Sequence, residues 1–321
     1  MGKNKFLGFL LKYFIKILRS FYKSEVDYQH AVNIIYCRLE NISSLFLDEF
    51  ATMGYTEFQN QYNNLISGLD QTEKMIIDQL VFIQTLNHQL IPFSPATSIR
   101  LTPSEIALQT QFESGEETFK FHNGILLLPD IIKQSIQGKD FLDCGGFTGD
   151  SAYVFERYYQ PKTVYSFEPN PENAIKYMKN IKAFDLQRCK LIQKGVGDKE
   201  INLQYLTNKS GSSKIVDTID AQTDLIEITT IDQFVAKHEL QVGLIKMDIE
   251  NFEPQALIGA RETLINQRPV VLISIYHSLK ELLGIKPFLE SLLSNYVFHI
   301  DHLSSTTLNE IELIGYPTEL Q

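Results

Sequence analysis

Asp143-Cys144-Gly145-Gly146-Phe147-Thr148-Gly149-Asp150, followed by Ser166-Phe167-Glu168-Pro169-Asn170, decides the fold of this chain. Residues 141–144 read as the end of a buried strand. The glycines then turn the chain sharply, and residues 151–159 open a helix. Such a strand–turn–helix brings backbone close to a nucleotide. Residues 163–168 read as the next strand, and it ends in a carboxylate able to accept both hydroxyl hydrogens of a ribose.

Two nucleotide cofactors compete for this pattern. A dinucleotide asks for Gly-x-Gly-x-x-Gly, so that a helix N-terminus receives the pyrophosphate. Gly146 and Gly149 fit the second and third glycines, but Cys144 at the first position crowds the turn. Asp143 and Asp150 also set negative charge beside a pyrophosphate. S-adenosylmethionine carries a sulfonium and an ammonium and no phosphate, so carboxylates near the turn suit it. Its expected contacts are Asp143, Gly145, Gly146, Gly149, Asp150, Ser151, Glu168, Pro169 and Asn170.

The remainder of the chain extends the pattern. Lys194-Gly195-Val196-Gly197-Asp198 reads as the close of a third strand, with Gly197 and Asp198 beside the cofactor and Asp198 holding the adenine amine. Residues 244–250 read as a fourth buried strand, placing Asp248 and Glu250 at the edge where open parallel sheets bind ligands. Pro254 opens a helix through about residue 265, and residues 269–277 form a fifth strand ending in Tyr276-His277. Residues 202–206 and 227–231 read as an inserted hairpin or a sheet extension. Residues 296–302 and 310–315 read as an antiparallel pair on an otherwise parallel sheet.

Taken in order, Asp143-x-Gly145-x-x-x-Gly149-Asp150, Phe167-Glu168-Pro169-Asn170, Gly195-Val196-Gly197-Asp198 and Ile245-Lys246-Met247-Asp248-Ile249-Glu250-x-x-Glu253 resemble the FkbM family of S-adenosylmethionine-dependent methyltransferases. Ala256-Leu257-Ile258-Gly259-Ala260 and Arg268-Pro269 continue the likeness, which covers about residues 118–316. The resemblance implies a Rossmann-like class I methyltransferase: α/β, with a mostly parallel seven-stranded sheet and an antiparallel last strand. It also implies methylation of a hydroxyl, here a sugar hydroxyl of a glycan or glycolipid precursor. Two positions depart from the family pattern: Asn251 stands where Gly is usual, and Ser274 where many members have Glu.

The reaction needs positioning of two partners and, for a hydroxyl acceptor, a base. Asp248, Glu250 and His277 are the catalytic candidates; an unperturbed histidine takes a proton at neutral pH. Each candidate also has a structural reading. The glycine turn is an ordinary connection, Glu168 a favourable charge at a helix N-terminus, Asp248 or Glu250 a partner of Lys246 or Arg261, and His277 a hydrogen-bonded strand-end residue. Nothing in the spacing of Asp248, His277 and His302 demands a metal, and none is expected. His30, His88, His122 and His238 read as surface residues. A cofactor-binding module without turnover and an NAD-linked oxidoreductase are the alternative readings.

The 321 residues are 44% hydrophobic and 21% charged, enough for one sizeable domain and a smaller one. The net charge of −10 argues against broad contact with nucleic acid. Cys37, Cys144 and Cys189 are odd in number and widely spaced, and read as free thiols in a reducing, cytoplasmic setting. Six of the 29 Lys and Arg residues and none of the 39 Asp and Glu lie in residues 1–23, so the remainder carries −16. On a helix, Lys5, Lys12, Lys16, Arg19 and Lys23 fall within an arc of roughly 60°, with apolar residues filling most of the rest. This basic amphipathic segment, residues 3–23, suits peripheral contact with an anionic membrane face, or packing on the protein or on a second copy in a homodimer. Its lysines interrupt the apolar run, so it does not span a membrane.

Residues 24–91 also read as helical, with an Asp70-Gln71-Thr72-Glu73 capping box. Pro92, Pro95 and Pro103 break that pattern. The expected division is a helical N-terminal region at 1–95 and a methyltransferase domain at 96–321.

Overall fold

The computed structural model describes residues 49, 52–53, 55–86, 101–206, 214–215, 223–304 and 310–320. The basic segment at residues 3–23 and the proline-rich boundary at residues 91–100 lie outside the described residues.

The strands are β1 (Asp140–Cys144), β2 (Val164–Phe167), β3 (Cys189–Ile192), β4 (Gly195–Val196), β5 (Ile201–Leu206), β6 (Lys214–Ile215), β7 (Thr223–Thr229), β8 (Val242–Met247), β9 (Val270–Ser274), β10 (Tyr296–His302) and β11 (Ile311–Pro317). Seven form one sheet in the order β10-β11-β9-β8-β1-β2-β3. The pairs among β9, β8, β1, β2 and β3 are all parallel, whereas β11 runs antiparallel to both β9 and β10. This is the seven-stranded class I arrangement with its antiparallel last strand. Every residue of β1, β8 and β9 is buried, as a parallel sheet covered on both faces requires.

The helices start where local chemistry favours it. Thr102 closes a capping box with Glu105 ahead of the helix Pro103–Phe112. Asn170 caps the helix Pro171–Ala183, whose proline occupies the first turn. The Asp70–Glu73 box closes as its sequence implies: Glu73 N donates to Asp70 Oδ1 at 2.8 Å, and Asp70 N to Glu73 Oε2 at 2.5 Å. Glu73 Oε1 also accepts from Ile300 N at 3.0 Å, which ties the helix Gln71–Leu86 to the edge strand β10. The helix Tyr55–Leu65 packs on Leu279–Leu292, and Phe58, Leu65, Ile77 and Leu80 share one apolar core with β8, β9 and β11.

Three expectations need correction. The third strand ends at Ile192, and the Lys194–Asp198 segment expected to close it stands apart: Gly195-Val196 leaves the main sheet and pairs with β7. The expected hairpin is present as the antiparallel pair β5–β7, but it belongs to a separate four-stranded sheet, β4-β7-β5-β6, rather than extending the main one. The helix after Pro254 is two helices, Glu253–Ile258 and Arg261–Gln267. The break lies at Gly259, where a Cβ would come within 1.9 Å of Gly197 O. Among the described residues, no helix is long and apolar enough to cross a membrane.

Candidate active site

Strands β1, β2, β8 and β9 are parallel, so their C-terminal ends meet at one edge of the sheet. That edge brings together the glycine turn, Glu168, Asp248 and the Tyr276-His277 pair. β11 runs the other way and presents its N-terminal end there, adding Glu310. A cavity of about 810 Å³ opens at this edge. Of the expected residues, Gly145, Asp150, Ser151, Glu168, Pro169, Asp248 and Glu250 line it.

The turn after β1 works by close approach. Gly145 has φ +88°, and a Cβ there would lie 1.9 Å from Asp248 O. Only glycine lets β1 and the chain leaving β8 converge so tightly. Glu168 is 6% exposed, and backbone fixes both of its oxygens: Oε2 accepts from Phe147 N at 2.9 Å and Oε1 from Asn170 N at 2.8 Å. Burial pushes its carboxyl up to about 7, against those two hydrogen bonds. Asp150 Oδ2 accepts from Ser114 Oγ at 2.5 Å and Thr118 Oγ1 at 3.0 Å, and Asn123 Nδ2 donates to Ser151 Oγ at 3.2 Å.

Other expected residues support the site from outside the cavity lining. Asp143 is fully buried; its Oδ2 accepts from Ser166 Oγ at 2.7 Å, and Oδ1 lies 3.6 Å from Lys246 Nζ. The register explains this, since Asp143 pairs with Ser166 on β2 and with Lys246 on β8. Burial pushes Asp143 up to about 6, with Lys246 and Ser166 opposing, so it is ionised at neutral pH. Lys246 is thus engaged by Asp143 and by Gly145 O at 3.0 Å. Gly146 and Gly149 shape the turn, and Asn170 caps its helix. Gly197 is buried against Phe252, and Asp198 is exposed; neither lines the cavity. Cys144 is a buried free thiol raised far above its ordinary pKa by burial, a packing residue.

His277 stands differently from the expected unperturbed base. It is 7% exposed and lies behind Asp248, outside the cavity lining. Its Nε2 is 3.3 Å from Asp248 Oδ1; its Nδ1 is 3.3 Å from Glu281 Oε2 and 3.5 Å from Glu253 Oε1. These contacts miss hydrogen-bond geometry, so they act through charge. Burial alone would lower the imidazole, but the carboxylates of Asp248, Glu281 and Glu253 outweigh it and raise the group well above its ordinary value. An imidazolium cannot accept a proton. Asp248 is therefore the group that meets the cavity, with its side chain 30% exposed.

Sequence reading missed Ser114, Glu117, Thr118, Asn123, Phe252 and Glu310, all in the cavity wall. Burial first, then Asp150 and Asp248, push Glu117 up to about 7. Burial and its acidic neighbours raise Glu310 well above the carboxylate range; Tyr276 Oη donates to its Oε1 at 3.2 Å. The available signal was the polar run Ser114-x-x-Glu117-Thr118 at the start of the helix Glu116–Phe121, with two further helical segments between it and β1. His122, expected on the surface, is half-buried with Nδ1 2.7 Å from the Tyr159 hydroxyl, whereas His238 is exposed as expected. His302, at the end of the edge strand β10, is half-buried.

A family model for the methyltransferase FkbM domain matches residues 143–300. Among solved structures, the chain is similar to methyltransferase FkbM from Methylobacillus flagellatus KT, at 20% identity and a TM-score of 0.59. That match covers 86% of this chain and 63% of the other, so this chain spans under two thirds of that protein's length. It is also similar to a methyltransferase from Geobacter sulfurreducens, at 13% identity and a TM-score of 0.41, covering 69% of this chain and 92% of the other. No curated protein matches. Residues 143–300, with the glycine turn, Glu168, Asp248 and His277 in their order, thus carry the FkbM methyltransferase domain.

Proposed function

We propose that this chain is an S-adenosylmethionine-dependent O-methyltransferase acting on a sugar hydroxyl of a glycan or glycolipid precursor. The observation that carries the cofactor is Glu168: a buried carboxylate at the end of β2, held by two backbone N–H groups and facing the cavity. It is set to accept the ribose hydroxyl hydrogens. The cofactor fits the wall in charge as well. Seven described lining residues are Asp or Glu, and the single Lys, Lys246, is engaged by Asp143 and Gly145. A pyrophosphate finds no counter-charge there, whereas a sulfonium and an ammonium do. Val196, Ile226, Ile228 and Phe252 offer an apolar wall for adenine. Asp150, braced by Ser114 and Thr118, faces the ammonium.

When bound, the cofactor supplies an electrophilic methyl group. The chain's own part is to align an acceptor hydroxyl with it and to draw off the proton. Asp248 orients that hydroxyl, with Glu117 and Glu310 beside it. The sugar acceptor rests on the family resemblance. Calorimetric titration with S-adenosylhomocysteine tests the donor pocket. Binding by the wild type, lost at least tenfold in Glu168→Ala, is the expected result; a folded wild type that binds none overturns it. Product formation with sugar acceptors then separates an enzyme from a silent binder. Recruitment to anionic membranes through residues 3–23 belongs to the same reading. Co-sedimentation with phosphatidylserine vesicles, lost on charge reversal of Lys12 and Lys16, tests it.

A further inference from the structure

Behind Asp248 lies a cluster that cofactor binding does not use. His277, Glu253 and Glu281 are sealed from solvent. Neither imidazole nitrogen of His277 makes a hydrogen bond, nor do Glu253 Oε2 and Glu281 Oε1. The other oxygen of each glutamate is fixed by backbone: Glu253 Oε1 accepts from Ile249 N at 2.6 Å and Glu281 Oε2 from His277 N at 3.0 Å. Buried polar atoms normally find partners, so four such atoms gathered in one place call for a missing group. Three carboxylates around one imidazole also leave excess negative charge in a low-dielectric pocket.

We propose that Asp248, Glu253 and His277 bind a divalent cation directly behind the cavity wall at Asp248, with Glu281 as a further carboxylate beside the imidazole. One ligand atom from each of Asp248, Glu253 and His277 lies within 4.8 Å of the other two. Ligands about 2.1 Å from an ion lie about 3.0–3.4 Å apart when adjacent and about 4.2 Å apart when opposed. The 3.3 Å between His277 Nε2 and Asp248 Oδ1 is already an adjacent-ligand distance. One imidazole with carboxylates, and no thiolate, suits Mn²⁺, Fe²⁺, Zn²⁺ or Mg²⁺ rather than a soft ion. Asp248 lines the cavity and gives the ion its entry path. Positions left open toward the cavity would hold the acceptor hydroxyl and lower its pKa. That use rests on the methyl-transfer reading; the binding of the ion does not. Sequence spacing gave no reason to expect this site, because Glu253 and Glu281 come from two different helices.

The test titrates Mn²⁺ into EDTA-treated full-length protein without cofactor, following free Mn²⁺ by electron paramagnetic resonance and the Tm by calorimetry. One Mn²⁺ per chain and a raised Tm are expected. Affinity should fall at least tenfold in His277→Ala and in Glu253→Gln. Glu168→Ala should keep the Mn²⁺ while losing S-adenosylhomocysteine, which separates this site from the donor pocket. If the wild type takes up none of Mn²⁺, Zn²⁺ and Mg²⁺ at about 1 mM, the cluster is a proton network and the proposal fails. It fails equally if a folded His277→Ala binds Mn²⁺ as tightly as the wild type. The wild-type titration needs no variant, so it decides the matter even where a variant does not fold.

Discussion

Asp143 on β1 and Lys246 on β8 face one another across a parallel pairing, 3.6 Å apart, both buried beside the glycine turn. The lysine reaches on to Gly145 O, so the pair holds the turn as well as the strands. Removing one partner of a buried pair strands the other charge. Lys246→Met should cost about 3–5 kcal/mol, read from urea unfolding. Asp143→Asn with Lys246→Met should cost less than the sum of the single changes. Strict additivity would show the pair to be energetically idle.

On the proposed reading, Glu168 sets the pH dependence of donor binding. Its carboxyl is raised to about 7 in the folded protein, chiefly by burial. Ionising it therefore costs the ligand-free fold stability as pH rises from the ordinary carboxylate range through 7. A ribose donating two hydrogen bonds favours the ionised form. Affinity for S-adenosylhomocysteine should fall as pH drops below 7, by up to about tenfold per unit, and level off above it. Glu168→Gln should bind weakly with that slope removed. Calorimetry between pH 5.5 and 8.5, as about the accessible range, checks both.

Asn251 follows Glu250 in a reversal where both residues have positive φ, 77° and 56°. The resemblance expects glycine at this position, and the backbone gives the reason: Asn tolerates the left-handed region better than other side chains, and glycine better still. Asn251→Gly should leave the Tm unchanged or raised, whereas Asn251→Val should cost about 1–3 kcal/mol. A Val variant as stable as the wild type would mean the reversal is not held in this conformation.

His122 is held neutral by burial, which lowers it to about 4. With the proton on Nε2, its Nδ1 accepts from the Tyr159 hydroxyl. A depressed histidine contributes stability that is present above its ordinary pKa of about 6.5 and lost as pH falls toward 4. Allowing for partial exposure, that loss is about 1–2 kcal/mol. The difference in urea midpoint between wild type and His122→Gln should shrink from pH 7 to pH 4. A difference that stays constant would show that His122 does not titrate in that window.

What was legible in the sequence was what neighbouring residues encode. The glycine turn, the acid ending β2 and the Asp248 segment are each local, and parallel strands gather their ends at one edge. The wall residues Ser114, Glu117 and Thr118 precede β1 and reach the cavity only through packing, such as Thr118 on Asp150. Glu310 is hidden by direction: it sits at the start of an antiparallel strand, whereas parallel strands present their C-terminal ends. The change of sheet at Lys194–Asp198 is not local either: Gly195-Val196 leaves the main sheet because its partner, Ile228-Thr229, lies more than thirty residues on. The environment of His277 is illegible locally because its partner Glu253 belongs to another helix. An unperturbed pKa is a property of an isolated side chain.

The reversed run of β11 has a bearing on how this site can diversify. On the proposed reading, the donor end of the cavity is encoded by the crossover units around β1 and β2, where Gly145 and Glu168 each answer to backbone constraints. Glu310 enters from a late strand that needs no crossover helix to arrive. Substitution there can retune what the pocket accepts and leave the encoding of the methyl source untouched, so the two ends can drift at different rates.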